Sequence, residues 1–169
     1  SLSLQKISAE TNAKDKYKKL TSSRNINIKN KNKKIKLGYY SADFRKHAMS
    51  YLLAKMFELH NKSKFELFAF SFGIETNDDI QKRISSTFDK FINVREKTDQ
   101  EIVKLSQEHK IDIAIDLMGF TKLNRFGIFV DKCAPIQINY LGYPGTLGSK
   151  SIDYIVADKF LISEINQKY

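Results

Sequence analysis

Tryptophan is absent and cysteine occurs once, at Cys133. A single thiol cannot close an intramolecular disulfide, so the sequence offers no oxidised framework and fits a reducing compartment, the cytoplasm, better than an extracellular one. Two prolines and seven glycines in 169 residues exclude a collagen-like or proline-rich linker protein. No apolar run approaches the roughly 18 residues of a membrane span, so no membrane partner is expected. The three histidines, His47, His60 and His109, are scattered, and with a lone cysteine they give no metal-ligand spacing, so no metal is expected. His60 and His109 fall near the ends of expected helices and read as surface residues. The patterns G-x-G-x-x-G, G-x-x-x-x-G-K-S/T and G-x-S-x-G are also missing, which weakens dinucleotide, P-loop and hydrolase readings.

What is present suffices for one packed core. Hydrophobic residues make up 41% of the chain, with twelve Phe and eight Tyr, far from the composition of chains that stay disordered. The length matches one domain of roughly 100–200 residues. The net charge of +10 suggests nucleic acid until it is placed along the chain. Residues 1–36 hold eleven Lys or Arg against two acids, and residues 37–169 eighteen against seventeen. The excess therefore sits in the first segment. Its stretch Asn25 to Lys36, NINIKNKNKKIK, has no aromatic residues to stack bases and reads as a solvated linker rather than a nucleic-acid arm. The start, Ser1 to Lys6, lacks both an initiator Met and the basic-then-apolar order of a secretory signal, which points to a piece of a longer chain.

Periodicity divides the chain into a helical and basic linker segment over residues 1–33 and a lobe over 34–169. A thin apolar stripe gives a helix over Leu4 to Leu20. Ile35, Leu37, Tyr39 and Tyr40 then predict a buried strand. After the polar turn Ser41 to Lys46, the residues Met49, Leu52, Leu53, Met56 and Phe57 share one face of a helix running to about Asn61. Strands are predicted at Phe65–Phe72, Phe91–Val94, Ile111–Leu117, Ile136–Leu141 and Tyr154–Ala157. Between them fall helices from a capping start at Thr76–Asp79 to about Phe88, from the capping box Thr98–Glu101 to Lys110, and over Asn124–Val130. Strands alternating with helices predict an α/β fold: a Rossmann-like, mostly parallel sheet with flanking helices. Ligands of such sheets bind where loops leave the carboxyl ends of the strands.

Three of those loops carry candidate chemistry. In Ser41 to His47, Asp43 and His47 stand four residues apart at a helix start. A carboxylate can orient a histidine that accepts a proton from a hydroxyl, or the two can form a helix cap and a surface contact. In Leu141-Gly142-Tyr143-Pro144-Gly145-Thr146-Leu147-Gly148, the glycines would let backbone N–H groups approach a ligand, or simply end the strand in a turn. Gly119-Phe120-Thr121 is a shorter case of the same kind.

The blocks KIKLGYYSADFRKH (34–47), IDIAIDLMGFT (111–121), APIQINYLGYPGTLG (134–148) and IDYIVADKF (152–160) occur in the order and spacing of the catalytic region of the O-linked N-acetylglucosamine transferase family, which the chain resembles from about Lys34 to Lys159. The resemblance implies the amino-terminal lobe of a two-lobed GT-B glycosyltransferase. It further implies inverting transfer of N-acetylglucosamine from UDP-N-acetylglucosamine to Ser or Thr hydroxyls of an acceptor protein, with no cofactor beyond the donor. Upstream helical repeats and a carboxy-terminal lobe would be partners within the same polypeptide. The segment alone would be inactive, and a non-catalytic nucleotide-sugar-binding or interaction module is the rival. By the resemblance, Asp43 and His47 match the aspartate and histidine of the active cleft, while Leu141, Gly142 and Pro144 match the turn against the donor sugar. Tyr143, Gly145, Thr146, Gly119 and Thr121 complete the expected binding set. Ala48, Met49 and Tyr51 depart from the family, which has Pro, a small residue and a second histidine in this stretch. Phe120 replaces the histidine of G-H-T in many bacterial relatives, favouring a packing role for its ring.

Overall fold

The computed structural model describes residues 2–16 and 34–167. Among these, six strands form one sheet: β1 (Ile35–Ser41), β2 (Phe65–Ser71), β3 (Lys90–Asn93), β4 (Ile113–Asp116), β5 (Ile136–Tyr140) and β6 (Tyr154–Val156). Every pairing is parallel, and the order is β3-β2-β1-β4-β5-β6. Five helices accompany them: α1 (Leu2–Lys16), α2 (Ala48–Glu58), α3 (Asp79–Ser85), α4 (Asp99–Glu108) and α5 (Gly127–Val130).

Side chains alternate across the pleat, so each inner strand feeds two cores. Leu37 and Tyr39 of β1 and Leu67 and Ala69 of β2 face Leu53, Phe57, Ile84 and Phe88 from α2, α3 and the turn after α3. Tyr40, Phe68 and Phe70 face the opposite way, toward Ile102, Val103, Phe126 and Phe129 around α4 and α5. Tyr40 lies flat on Phe70 with ring centroids 4.6 Å apart, and its hydroxyl meets Ser106 Oγ at 2.6 Å. The buried hydroxyl thus has a partner and adds little desolvation cost.

The sheet order reverses between β1 and β4, because chain to the left of β1 runs through β2 and β3 and chain to the right runs through β4 to β6. That switch point opens a crevice at the carboxyl ends of the two central strands.

Element ends differ from the sequence expectation where side chains compete with the backbone. The α3 helix stops at Ser85, since the hydroxyls of Ser86 and Thr87 donate to the carbonyls of Arg83 and Ile84. Its cap is Asp78 rather than Thr76, and Gln81 reaches back to accept from the amides of Thr76 and Asn77. The predicted helix from Asn124 is a single turn beginning at Gly127, because Asn124 bonds Thr121 O and Phe126 N through its own amide. Thr98 and Glu101 form the expected capping box. Residues Tyr17 to Leu20 of the first predicted helix, and most of the basic stretch, lie outside the described residues.

Two histidines are more than surface groups. His60 is half-buried, with Nε2 2.8 Å from the Tyr39 hydroxyl and Nδ1 2.7 Å from Met56 O. His109 caps the carboxyl end of α4 against the Phe68 ring, and burial, aided by Lys90 and Lys36, lowers its pKa.

Candidate functional site

At the carboxyl end of β1 the chain turns through Ala42 to Lys46 and enters α2. Gly73 makes this turn possible, since a Cβ there would lie 1.8 Å from the Ala42 carbonyl oxygen. The loop is fixed from outside by the start of α3. Asp78 accepts from the Lys46 amide at 2.8 Å, and the Gln81 side chain donates to Phe44 O at 3.0 Å.

Asp78 is itself held as an anion. The Thr76 hydroxyl and the amides of Gln81 and Lys46 keep its pKa down at about 2, against an ordinary 3.8. Because the folded value lies below the unfolded one, this anchoring is complete above about pH 4 and is lost as the pH falls through about 2. Melting curves between pH 4 and pH 2 should therefore fall less steeply for Asp78→Asn than for the parent. Equal slopes would remove Asp78 as an acid-sensitive anchor.

Within the loop, Asp43 is mostly covered and stands between Arg45, with Nη2 at 3.4 Å, and His47, with Nδ1 at 3.6 Å. His47 is the N-cap of α2, where its Nδ1 accepts from the Met49 amide at 3.3 Å. The cap that the sequence left open is thus formed, with the Asp43 carboxylate beside it. The Nδ1 atom lies near both a helix amide and a carboxylate, and His47 lines a cleft of about 270 Å³ with Asp43, Met49, Leu117, Thr121 and Gly142, where Arg45 and Lys122 add positive charge.

The opposite wall comes from the loops after β4 and β5. Asp116, buried at the end of β4, accepts from the amides of Met118 and Gly119, turning the chain sharply. Leu141 and Gly142 follow β5 in the left-handed region, with φ of 55° and 74°. A left-handed leucine costs about 1 kcal/mol, and such strain clusters where loops are shaped for binding. Gly142 is obligatory for contact, because a Cβ would approach Leu117 O to 2.1 Å.

The predicted site residues separate into groups. Asp43, His47, Thr121 and Gly142 converge on the cleft. Tyr143, Pro144, Gly145 and Thr146 line a second, larger depression of about 780 Å³ shared with the segment after β6. Gly119 lines neither one. Its left-handed backbone (φ 56°) lies under Tyr143, whose Cβ would be 2.4 Å from any Cβ added at Gly119. Leu141 packs against the core on the α2 face. The Thr121 hydroxyl donates to Met118 O at 2.8 Å and serves the turn. Phe120 packs edge-on to Phe126 and Tyr143, at 4.9 and 5.7 Å between centroids, as a ring in place of a polar group should. Asp116 falls inside the strand predicted over Ile111–Leu117, and the strand pattern gives it no role. Its position three residues before Gly119, in a strand-ending turn, is the available signal.

The glycosyl transferase family 41 profile matches residues 1–168. The chain belongs to that family. Among curated relatives of this family-41 lobe, it is 38% identical over 129 residues to a probable UDP-N-acetylglucosamine–peptide N-acetylglucosaminyltransferase, SEC, of Arabidopsis thaliana, covering 76% of this chain and 13% of the relative. The corresponding Caenorhabditis elegans transferase is 30% identical over 127 residues, covering 74% and 11%. A solved structure of a variant O-GlcNAc transferase from Thermobaculum terrenum superposes with a TM-score of 0.90 at 26% identity, covering 96% of this chain and 31% of the other. The family-41 lobe therefore has the Rossmann-like sheet of one GT-B lobe, and it spans a small part of the length of the relatives it matches. Among the described residues, no helix is long and apolar enough to cross a membrane.

Proposed function

We propose that this lobe supplies the acceptor-activating side of a protein O-glycosyltransferase. The enzyme transfers N-acetylglucosamine from UDP-N-acetylglucosamine to Ser or Thr hydroxyls with inversion. The reading is carried by His47, which stands at the switch-point cleft with Asp43 beside its Nδ1. The relatives named as peptide N-acetylglucosaminyltransferases support the donor and acceptor class.

In a single displacement the hydroxyl oxygen attacks the anomeric carbon while the bond to the diphosphate breaks and its electron pair leaves with UDP. The hydroxyl proton goes to His47 Nε2. For a neutral ring to accept there, its own proton must sit on Nδ1, and Nδ1–H then donates to Asp43 in place of accepting from the Met49 amide. Asp43 selects the accepting tautomer and stabilises the charged ring that results, while the helix cap favours the other tautomer. The proposal includes a carboxy-terminal lobe that binds most of the nucleotide, upstream helical repeats that hold the acceptor protein, and transfer without a resident metal.

The test is sugar transfer by the complete protein, using UDP-N-acetylglucosamine labelled in the sugar and Ser- and Thr-containing peptides. Labelled peptide with a β-anomeric linkage, and no transfer by residues 1–169 alone, is the expected result. Preference for another nucleotide sugar, or donor hydrolysis without peptide labelling, would overturn the reading.

A further inference from the structure

Asp116 and Asn139 are register partners on β4 and β5, and each is only 2% exposed. The Asp116 carboxylate has no ion-pair partner among the described residues. Instead it accepts from the Met118 amide at 2.9 Å, from the Gly119 amide at 3.1 Å to each oxygen, and from Asn139 Nδ2 at 3.3 Å. The Asn139 amide also points at the Asp116 carbonyl, 3.5 Å away. Burial raises the carboxyl's pKa, and the N–H donors oppose the rise. Burying an acid without a cation is costly, and an apolar side chain would fill the strand end more cheaply.

What the pair holds is the wall facing His47. The amides bound by Asp116 reverse the chain, so that Leu117 and Thr121 reach the cleft. The reversed loop is interlocked with the loop after β5, with Gly142 seated on the Leu117 carbonyl and Gly119 under Tyr143. The Leu117 amide donates to Tyr40 O at 3.2 Å, tying the wall to the strand that carries Asp43 and His47. We propose that Asp116 and Asn139 are a pair of positioning residues that set the distance between this wall and His47; the inference rests on the transferase reading above.

The test reverses the pair in the complete protein. In Asp116→Asn the new amide oxygen can still accept from Met118, but the amide nitrogen confronts the donors of Asn139 and Gly119. Adding Asn139→Asp restores a donor opposite an acceptor. Misplaced groups cost orientation rather than binding, so Asp116→Asn is expected to lower kcat by about tenfold and leave the donor KM within about twofold. The double exchange is expected to return kcat to within about threefold of the parent. Hydrogen exchange at Met118 and Gly119 is expected to quicken in the single variant and slow again in the double. Parent-like kcat and exchange in Asp116→Asn, or a double variant no better than the single, would overturn the pairing. Should Asp116→Asn not fold, recovery of fold and turnover by the double exchange supports it and failure overturns it. If the parent transfers no sugar, the transferase reading fails, while the exchange rates still decide whether the pair sets the loop.

Discussion

Replacing His47 by asparagine in the complete protein is expected to lower kcat/KM by about 10²–10⁴-fold while the melting temperature stays within a few degrees of the parent. Asparagine separates the two tasks of this residue. Its carbonyl oxygen can accept from the Met49 amide as Nδ1 does at 3.3 Å, so α2 keeps a good cap. It has no nitrogen that takes up a proton, so the accepting role beside Asp43 is lost. Alanine would remove both and confuse a cap worth about 1 kcal/mol with chemistry. Steady-state rates and a melting curve on the same preparation decide the matter. Turnover within threefold of the parent would confine His47 to capping. A large fall in both rate and melting temperature would point to the helix instead.

Gly142→Ala in the complete protein is expected to cost about 3–5 kcal/mol, a fall in melting temperature of about 10 °C, together with most of the turnover. The residue has φ of 74°, which alanine adopts at a penalty, and the added methyl would sit 2.1 Å from the Leu117 oxygen and 2.7 Å from its carbon. Leu117 cannot withdraw freely, since its amide is bound to Tyr40 O. Gly38→Ala is the comparison. There the nearest obstacle is a side-chain methyl, Ile111 Cγ2 at 2.9 Å, which can give way at low cost. Less than half the loss is expected at Gly38, and equal losses would mean that the interlock of the two loops adds nothing.

The order of strands and helices was readable because the apolar spacing is strong. The alternation Leu67, Phe68, Ala69, Phe70 and the i, i+4 pair Leu53 and Phe57 leave little choice. The ends were less readable, since hydroxyls and amides such as Ser86, Thr87 and Asn124 decide them by bonding neighbouring backbone that only a folded chain presents. The cleft was half visible. Asp43 and His47 are close in sequence and face the same space, whereas Thr121 and Gly142 join them only through strand pairing. The division of Leu141 to Thr146 between core, cleft and second depression follows from two consecutive left-handed residues, and no spacing rule foretells that. Asp116 was missed for a related reason. Its weight comes from Asn139, a partner 23 residues on.

The position of β1 at the centre of the sheet has a consequence for how the polypeptide reaches this fold. Among the described residues it is the first strand made, yet its two neighbours are Phe65–Ser71 and, on the far side, Ile113–Asp116, so Leu37 finds its partner Ile113 only after 76 further residues exist. Until β4 leaves the ribosome, β1 has one bare edge, and its Tyr40 face lacks Phe126 and Phe129. Long-range parallel pairing of this kind is slow, and an unpaired apolar edge invites association with other chains. The order of synthesis therefore exposes the central strand longest, and production at low rate or with a chaperone that shields nascent strands will favour the native sheet over aggregates.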